Sequence, residues 1–249
     1  MNPIRHAREI LGRIREKSES VIVAFSGGKD SLCCLDLAAQ IFPEVRCYFL
    51  FLVPGLRMFS GRLEYARKRW GVEIREYPHP ALAALKRAGI YRPPSERDRK
   101  ERAATWSSVE DAIRIDYGAP DAWLVRGWKQ MDSAPRRVVL RTYDDEAVCE
   151  ATHRVYPLSR WRDTDVAAYL RARRIPVPEN FGMRSFDVQL TAPVLAEIAR
   201  AFPDDYRRIL AEFPQAEAAV KRFEFYGEEI VRNAKEKERV RLETSGAGR

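Results

Sequence analysis

Ile4, Ala7, Ile10, Leu11 and Ile14 recur at the three-and-four spacing of one helical face, so the pattern predicts an amphipathic helix over Pro3–Glu19. The periodicity then changes. Val21–Phe25 is an unbroken apolar run rich in β-branched residues, the pattern of a strand buried on both faces. Helical spacing returns over Ser31–Ile41, Val45–Val53 reads as a second buried strand, and Phe59–Trp70 reads as a helix stopped by Gly71. Val72–Tyr77 is then a third strand, Pro80–Ala88 and Trp106–Tyr117 are helices, and Ala122–Val125 is a fourth strand. Strands alternating with helices predict an α/β fold, a parallel twisted sheet with helices on both faces.

Two stretches break this rhythm. Tyr91–Arg102, "YRPPSERDRKER", holds two prolines and charges of both signs, as a surface loop or a mobile cover does. Past Leu158 the strand pattern gives way to helical spacing over Asp163–Arg173, Pro193–Phe202, Asp204–Phe213 and Ala216–Arg241. Asp163 or Thr164 is suited to cap the first of these. The expected organisation is an α/β domain over 1–158 including the N-terminal helix, a helical C-terminal extension over 159–241, and a disordered tail over 242–249.

Composition narrows the classes. At 249 residues and 45% hydrophobic content the chain can bury one sizeable core. Its formal charge of +8 favours an anionic partner, a nucleotide or a nucleic acid, although solubility alone explains it equally well. Four cysteines, Cys33, Cys34, Cys47 and Cys149, lack the paired spacing of a metal or disulfide framework, which fits a cytoplasmic protein. No apolar run approaches the roughly 18 residues of a membrane span, so no membrane partner is expected. His6, His79 and His153 are scattered, so no zinc site is expected.

The chemistry concentrates in "AFSGGKDSL", Ala24–Leu32, where the first strand turns into a helix. Gly27 and Gly28 let the backbone approach a ligand, and the free amides and dipole of the following helix suit an anion. Ser26 and Ser31 add hydroxyls and Lys29 a mobile charge. Asp30 would repel a phosphate unless a divalent cation joined them, so it implies Mg²⁺ held through the phosphates. The plain alternative is a glycine bend with a serine cap. The spacing is neither GxxxxGK[ST] nor GxGxxG.

"SGGKDS", Ser26–Ser31, resembles the pyrophosphate-binding loop of the ATP pyrophosphatase (PP-loop) superfamily, and the chain is similar to its phosphoadenosine phosphosulfate (PAPS) reductase branch. "GWKQMDSAPRR", Gly127–Arg137, resembles that family's basic segment after the fourth strand, and "YPLSRWRDTDVAAYLRARRIPVPENFG", Tyr156–Gly182, its next helix and proline turn. The resemblance implies an adenine nucleotide alpha hydrolase-like fold, with ATP or PAPS and Mg²⁺ as cofactors. It also implies a nucleotide site of Ser26, Gly27, Gly28, Lys29, Asp30, Ser31, Gly127, Lys129, Asp132, Ser133, Arg136 and Arg137, with Lys29 and Asp30 in the chemistry. From the residues themselves, Lys129, Arg136 and Arg137 can reach the same ligand from the neighbouring loop, while Asp132 and Ser133 can orient the arginines or touch ribose.

The resemblance breaks in two places. Reductases of the branch attack with a cysteine near the C-terminus, but this chain has none after Cys149, and Asp187 and Val188 stand where a glycine-cysteine pair is expected. No iron–sulfur cluster is therefore expected. Val53 and Pro54 replace a polar aspartate-threonine pair after the second strand. Three functions remain open: cleavage of ATP between its α- and β-phosphates to adenylate an acceptor, with tRNA or DNA as candidate partners; a PAPS or adenylylsulfate reductase using Cys149 or a partner's thiol; and a nucleotide-binding accessory protein without turnover. The C-terminal helix is read as packing on its own domain, with a homodimer as the minority alternative.

Overall fold

A computed structural model of the chain describes residues 2–102, 104–177 and 190–227. Helix α1 (Pro3–Lys17) begins where Asn2 Oδ1 accepts the Ile4 amide at 2.9 Å and buries Ala7, Ile10, Leu11 and Ile14. Strand β1 (Ser20–Ala24), α2 (Lys29–Ala39), β2 (Glu44–Phe51), α3 (Arg57–Trp70), β3 (Glu73–Pro78) and α4 (Ala81–Arg87) follow as the periodicity predicts. Gly71 ends α3 at φ 67°, the left-handed position glycine takes without strain. A short α5 (Glu96–Lys100), α6 (Trp106–Asp116), β4 (Trp123–Val125), α7 (Ala134–Arg141), β5 (Val148–Cys149), β6 (Arg154–Val155) and α8 (Asp163–Ala172) lead to α9 (Ala192–Ala201) and α10 (Pro203–Glu212).

The sheet has six strands in the order β3-β2-β1-β4-β6-β5, all parallel except β5, which runs antiparallel to β6 at the edge. Alternation along β1 puts Val21 and Val23 in one core with α1, α2 and α8, and Ile22 in another with Tyr48, Leu124 and Ile113 of α6. Helices therefore cover both faces, as the continuous apolar strands require. β5 and β6 hold two residues each, too few to carry a period, and they make the sheet wider than the four strands legible in the sequence.

The chain divides into two compact units, one of Met1–Ala84 with Arg102–Asn180 and one of Leu85–Glu101 with Phe181–Arg249. In the first, α8 packs on α2 although it lies beyond residue 158, where the strand pattern ends. In the second, α9 packs on α10, Lys86 pairs with Glu212 at 2.6 Å, and the Gln215 amide donates to the Tyr91 carbonyl at 2.7 Å. The stretch read as a loop contains α5, started by a reciprocal Ser95–Asp98 capping box. Most of Gly182–Leu190, and the C-terminal helix and tail beyond 227, lie outside the described residues.

Asp36, 1% exposed on α2, joins three helices. It accepts from Trp70 Nε1 of α3 at 3.1 Å, Tyr169 Oη of α8 at 2.7 Å and Arg173 Nε at 2.8 Å. Burial alone would push its carboxyl up, but the bonds from Arg173, Tyr169 and Trp70 outweigh burial and hold it below the ordinary carboxylate range. A depressed folded value gives stability that is present above the unfolded value, about 4, and is lost as pH falls through the folded one. Urea unfolding of the parent should therefore lose stability below about pH 4 more steeply than unfolding of Asp36→Asn. Parallel pH profiles for the two would remove Asp36 as the cause.

Candidate active site at the sheet switch point

The strand order places β1 between β2 and β4, so the connections leaving β1 and β4 diverge and open a crevice at the carboxyl edge of the sheet. Both glycine-containing segments singled out in the sequence lie there. Gly27 has φ 73°, and a Cβ on it would stand 3.3 Å from Cδ of Arg62, whose side chain lies against the loop from α3. Gly28 starts α2, and no side chain caps that helix, which leaves its first amides available to an anion. The hydroxyls brace the turn: Ser31 Oγ donates to the Gly28 carbonyl at 2.9 Å, and Ser26 Oγ to Ser31 Oγ at 3.3 Å.

Opposite charges interleave at this helix start. Lys129, 1% exposed, sets its Nζ 2.7 Å from Asp30 Oδ2, 3.0 Å from Asp132 Oδ1 and 3.4 Å from Asp163 Oδ1. Lys29 Nζ lies 3.2 Å from Asp30 Oδ2 and 3.1 Å from Asp163 Oδ1. Gly127 lets the two loops meet, since a Cβ there would be 3.2 Å from Asp30 Cβ. Burial would pull the Lys129 ammonium down, but its bonds to Asp30 and Asp132 raise it above the usual value. Burial pushes Asp132 up, and bonds from Lys129 and Arg136 reverse this and hold it low. Asp163 is pushed up by burial and held low by Lys29 and Lys129. Lys129 is a fixed counter-charge, whereas Lys29 can exchange its carboxylates for an incoming phosphate.

The donor set does not suit the metal role expected of Asp30. Its carboxylate is engaged by two ammonium groups, and among the described residues no group of three or more His, Cys, Asp or Glu side chains is placed to hold a metal ion.

Ser26–Ser31, Gly127, Lys129 and Asp132 come together at the crevice. Arg136 is drawn in through Asp132, 2.7 Å away. Ser133 is spent differently: its Oγ accepts the Arg136 amide at 3.3 Å as the N-cap of α7, a helix the sequence pattern did not announce. Arg137 Nε donates to the Gln130 carbonyl at 3.3 Å. Asp163, expected as a cap, faces the lysines, while Asp165 accepts the Arg162 amide at 2.7 Å. Arg62 had no sequence signal at all, because only the packing of α3 brings it to Gly27. Burial pulls its guanidinium below the ordinary value. Farther along, Val53 and Gly55 line a cavity of about 270 Å³ with Phe49, Phe51 and Phe59 on one part of its wall and Glu64, Arg67 and Glu76 on another.

A mostly parallel sheet covered by helices on both faces, with an uncapped, lysine-flanked helix start at its switch point, is an α/β fold of the adenine nucleotide alpha hydrolase type. The phosphoadenosine phosphosulfate reductase domain model matches residues 20–182, and the chain belongs to that family. Two of the solved structures that are similar to it show the fold. One is the U34-tRNA thiolase NcsA from Methanococcus maripaludis with its [4Fe-4S] cluster, 14% identical, covering 86% of this chain and 76% of that one at a TM-score of 0.47. The other is the NH3-dependent NAD synthetase from Campylobacter jejuni in complex with nitrate, 11% identical, covering 90% and 94% at a TM-score of 0.47. No curated protein matches the chain. The expectation that set an iron–sulfur cluster aside is corrected by the thiolase, a protein of similar fold that carries one. Among the described residues no helix is long and apolar enough to cross a membrane.

Proposed function

We propose that the chain binds ATP with its pyrophosphate end on the Ser26–Ser31 loop and transfers adenylate to an acceptor oxygen. The observation that carries this reading is the convergence of Lys29 and Lys129 on the uncapped start of α2. The acceptor oxygen bonds to the α-phosphorus as the bond to the bridging oxygen breaks, pyrophosphate leaves with the electron pair, and the acceptor's proton passes to water. Lys29, the loop amides and Arg62 face the charge that grows on the leaving group, so positioning and charge neutralisation supply the catalysis. A net charge of +8 favours an acceptor on nucleic acid, tRNA or DNA.

The reductase alternative needs a thiolate. Burial pushes the thiols of Cys33, Cys34 and Cys47 far above their usual value. Cys149 pairs in register with Arg154, Arg154 with Leu124 and Leu124 with Ile22, which places it three strand spacings from β1, about 14 Å, and below the loop. Cys149→Ser should leave every nucleotide-dependent activity unchanged, and a loss of sulfite release from PAPS in that variant would restore the reductase reading.

Incubation with ATP or PAPS, with and without bulk tRNA, DNA and thiol, separates the functions. AMP with pyrophosphate supports adenylation, sulfite supports reduction, and tight binding without turnover supports an accessory protein. Lys29→Ala should weaken ATP binding by about 1.5–3 kcal/mol, the worth of a charge-assisted contact, as read by calorimetry. Unchanged affinity would move the phosphates away from this loop.

A further inference from the structure

The connection after β4 carries a second surface. Along Arg126–Lys129 the Cβ position of Gly127 and the Lys129 ammonium lie against Asp30, while Arg126 lies against the rings of Trp106 and Trp128. The Arg126 guanidinium stands 4.9 Å from the Trp106 ring centre and 4.7 Å from that of Trp128, and Arg136 stands 5.0 Å from Trp128 on its own side. The result is a ladder of alternating rings and guanidinium planes, Trp106–Arg126–Trp128–Arg136. Glu110, fully buried, holds Arg126 at 3.2 Å, and Trp128 packs on Tyr156 with ring centres 5.5 Å apart, so the middle rungs are fixed from behind. The outer rungs are half-exposed: Trp106 is 43% exposed with His79 set edge-on to its ring at 5.1 Å, and the Arg136 side chain, paired with Asp132, is 42% exposed.

We propose that this ladder is a stacking platform for an unpaired base of a single-stranded nucleic acid. Neutral rings alternating with cations suit a π-face flanked by phosphate, since bases stack on indoles and on guanidinium groups alike. Arg137 and Arg141 continue the positive surface, and each hydrogen bonds to Gln130 rather than to a carboxylate. A base inside a duplex offers no face to such a surface, so the strand it takes is unpaired. The inference rests on the adenylation reading only for its purpose. Gly127, between Arg126 and Trp128 in the sequence, lies against Asp30, so a base stacked on this platform would lie beside the loop where adenylate would be handed over.

The test is binding without ATP. A fluorescein-labelled single-stranded RNA of about a dozen nucleotides, its DNA counterpart and the matching duplex are titrated at about 0.15 M salt, which suppresses purely ionic association. The single strands should bind more tightly than the duplex and quench tryptophan emission. Trp106→Ala and Trp128→Ala should each weaken binding about tenfold, and Trp128→Phe should retain most of it. Trp106 is exposed, so its variant keeps the result readable if Trp128→Ala unfolds. A duplex bound equally well, displacement of the strand by equimolar AMP, or unaltered affinity in Trp106→Ala would each overturn the platform. With no ATP present, failure here leaves the cleavage reading standing, and an absence of AMP formation leaves the binding result standing.

Discussion

Replacing Glu110 by alanine should lower the stability of the first compact unit by about 3–5 kcal/mol, the cost of leaving buried charges without their partner. Glu110 is fully buried and accepts from Arg154 Nε at 2.8 Å and from Tyr48 Oη at 3.4 Å, with Arg126 Nη1 at 3.2 Å. Arg126 is 7% exposed, and the Arg154 side chain 14%. Removing the carboxylate leaves two largely buried guanidinium groups without their acid. Glu110→Gln keeps the shape and one acceptor, and should fall between parent and Glu110→Ala. The measurement is the urea midpoint at constant slope. A shift under about 1 kcal/mol would mean that the arginines reach solvent when the acid is gone.

Lys129→Met should have the second large effect, and on two properties. Its buried ammonium is the shared counter-charge of Asp30 and Asp132, so its loss should cost about 3 kcal/mol and loosen the start of α2, leaving Asp30 with Lys29 alone and Asp132 with Arg136 alone. Nucleotide affinity should fall with it, since Lys29 is then held more tightly by Asp30 and the loop loses one positive charge. The pH dependence carries the signature. Lys129 is held above its ordinary value, so its stabilisation is full below about 10 and is lost as pH rises through the raised folded value. Asp132 is held low, so its part is full above about 4 and is lost as pH falls through the depressed value. The parent should show a plateau between these limits, and the variant should lack the added slope at both ends. A variant with the parent's slopes would place the lysine outside this cluster.

The central sheet was legible because β1 to β3 are long enough to show apolar runs and the helices between them show three-and-four spacing. The loop after β1 was legible because two adjacent glycines at a strand-to-helix turn need a reason. What was not legible depends on partners far away in the chain. Asp163 and Asp165 are chemically equivalent in the sequence, and only the packing of α8 on α2 decides that one reaches the lysines and the other binds the Arg162 amide. Ser133 was open to a ribose role, yet the short helix it starts uses its hydroxyl. Trp106 and Trp128 are 22 residues apart and meet only because Arg126 lies between them.

The strip from Arg126 to Lys129 serves two sides at once. Gly127 and Lys129 lie against Asp30, while Arg126 and Trp128 meet each other and Arg126 meets Trp106. A Cβ at position 127 would stand 3.2 Å from Asp30 Cβ, so even an alanine there would force the two loops apart. The shift would reach the arginine held between the two indoles, and a change made on one side would be read on the other.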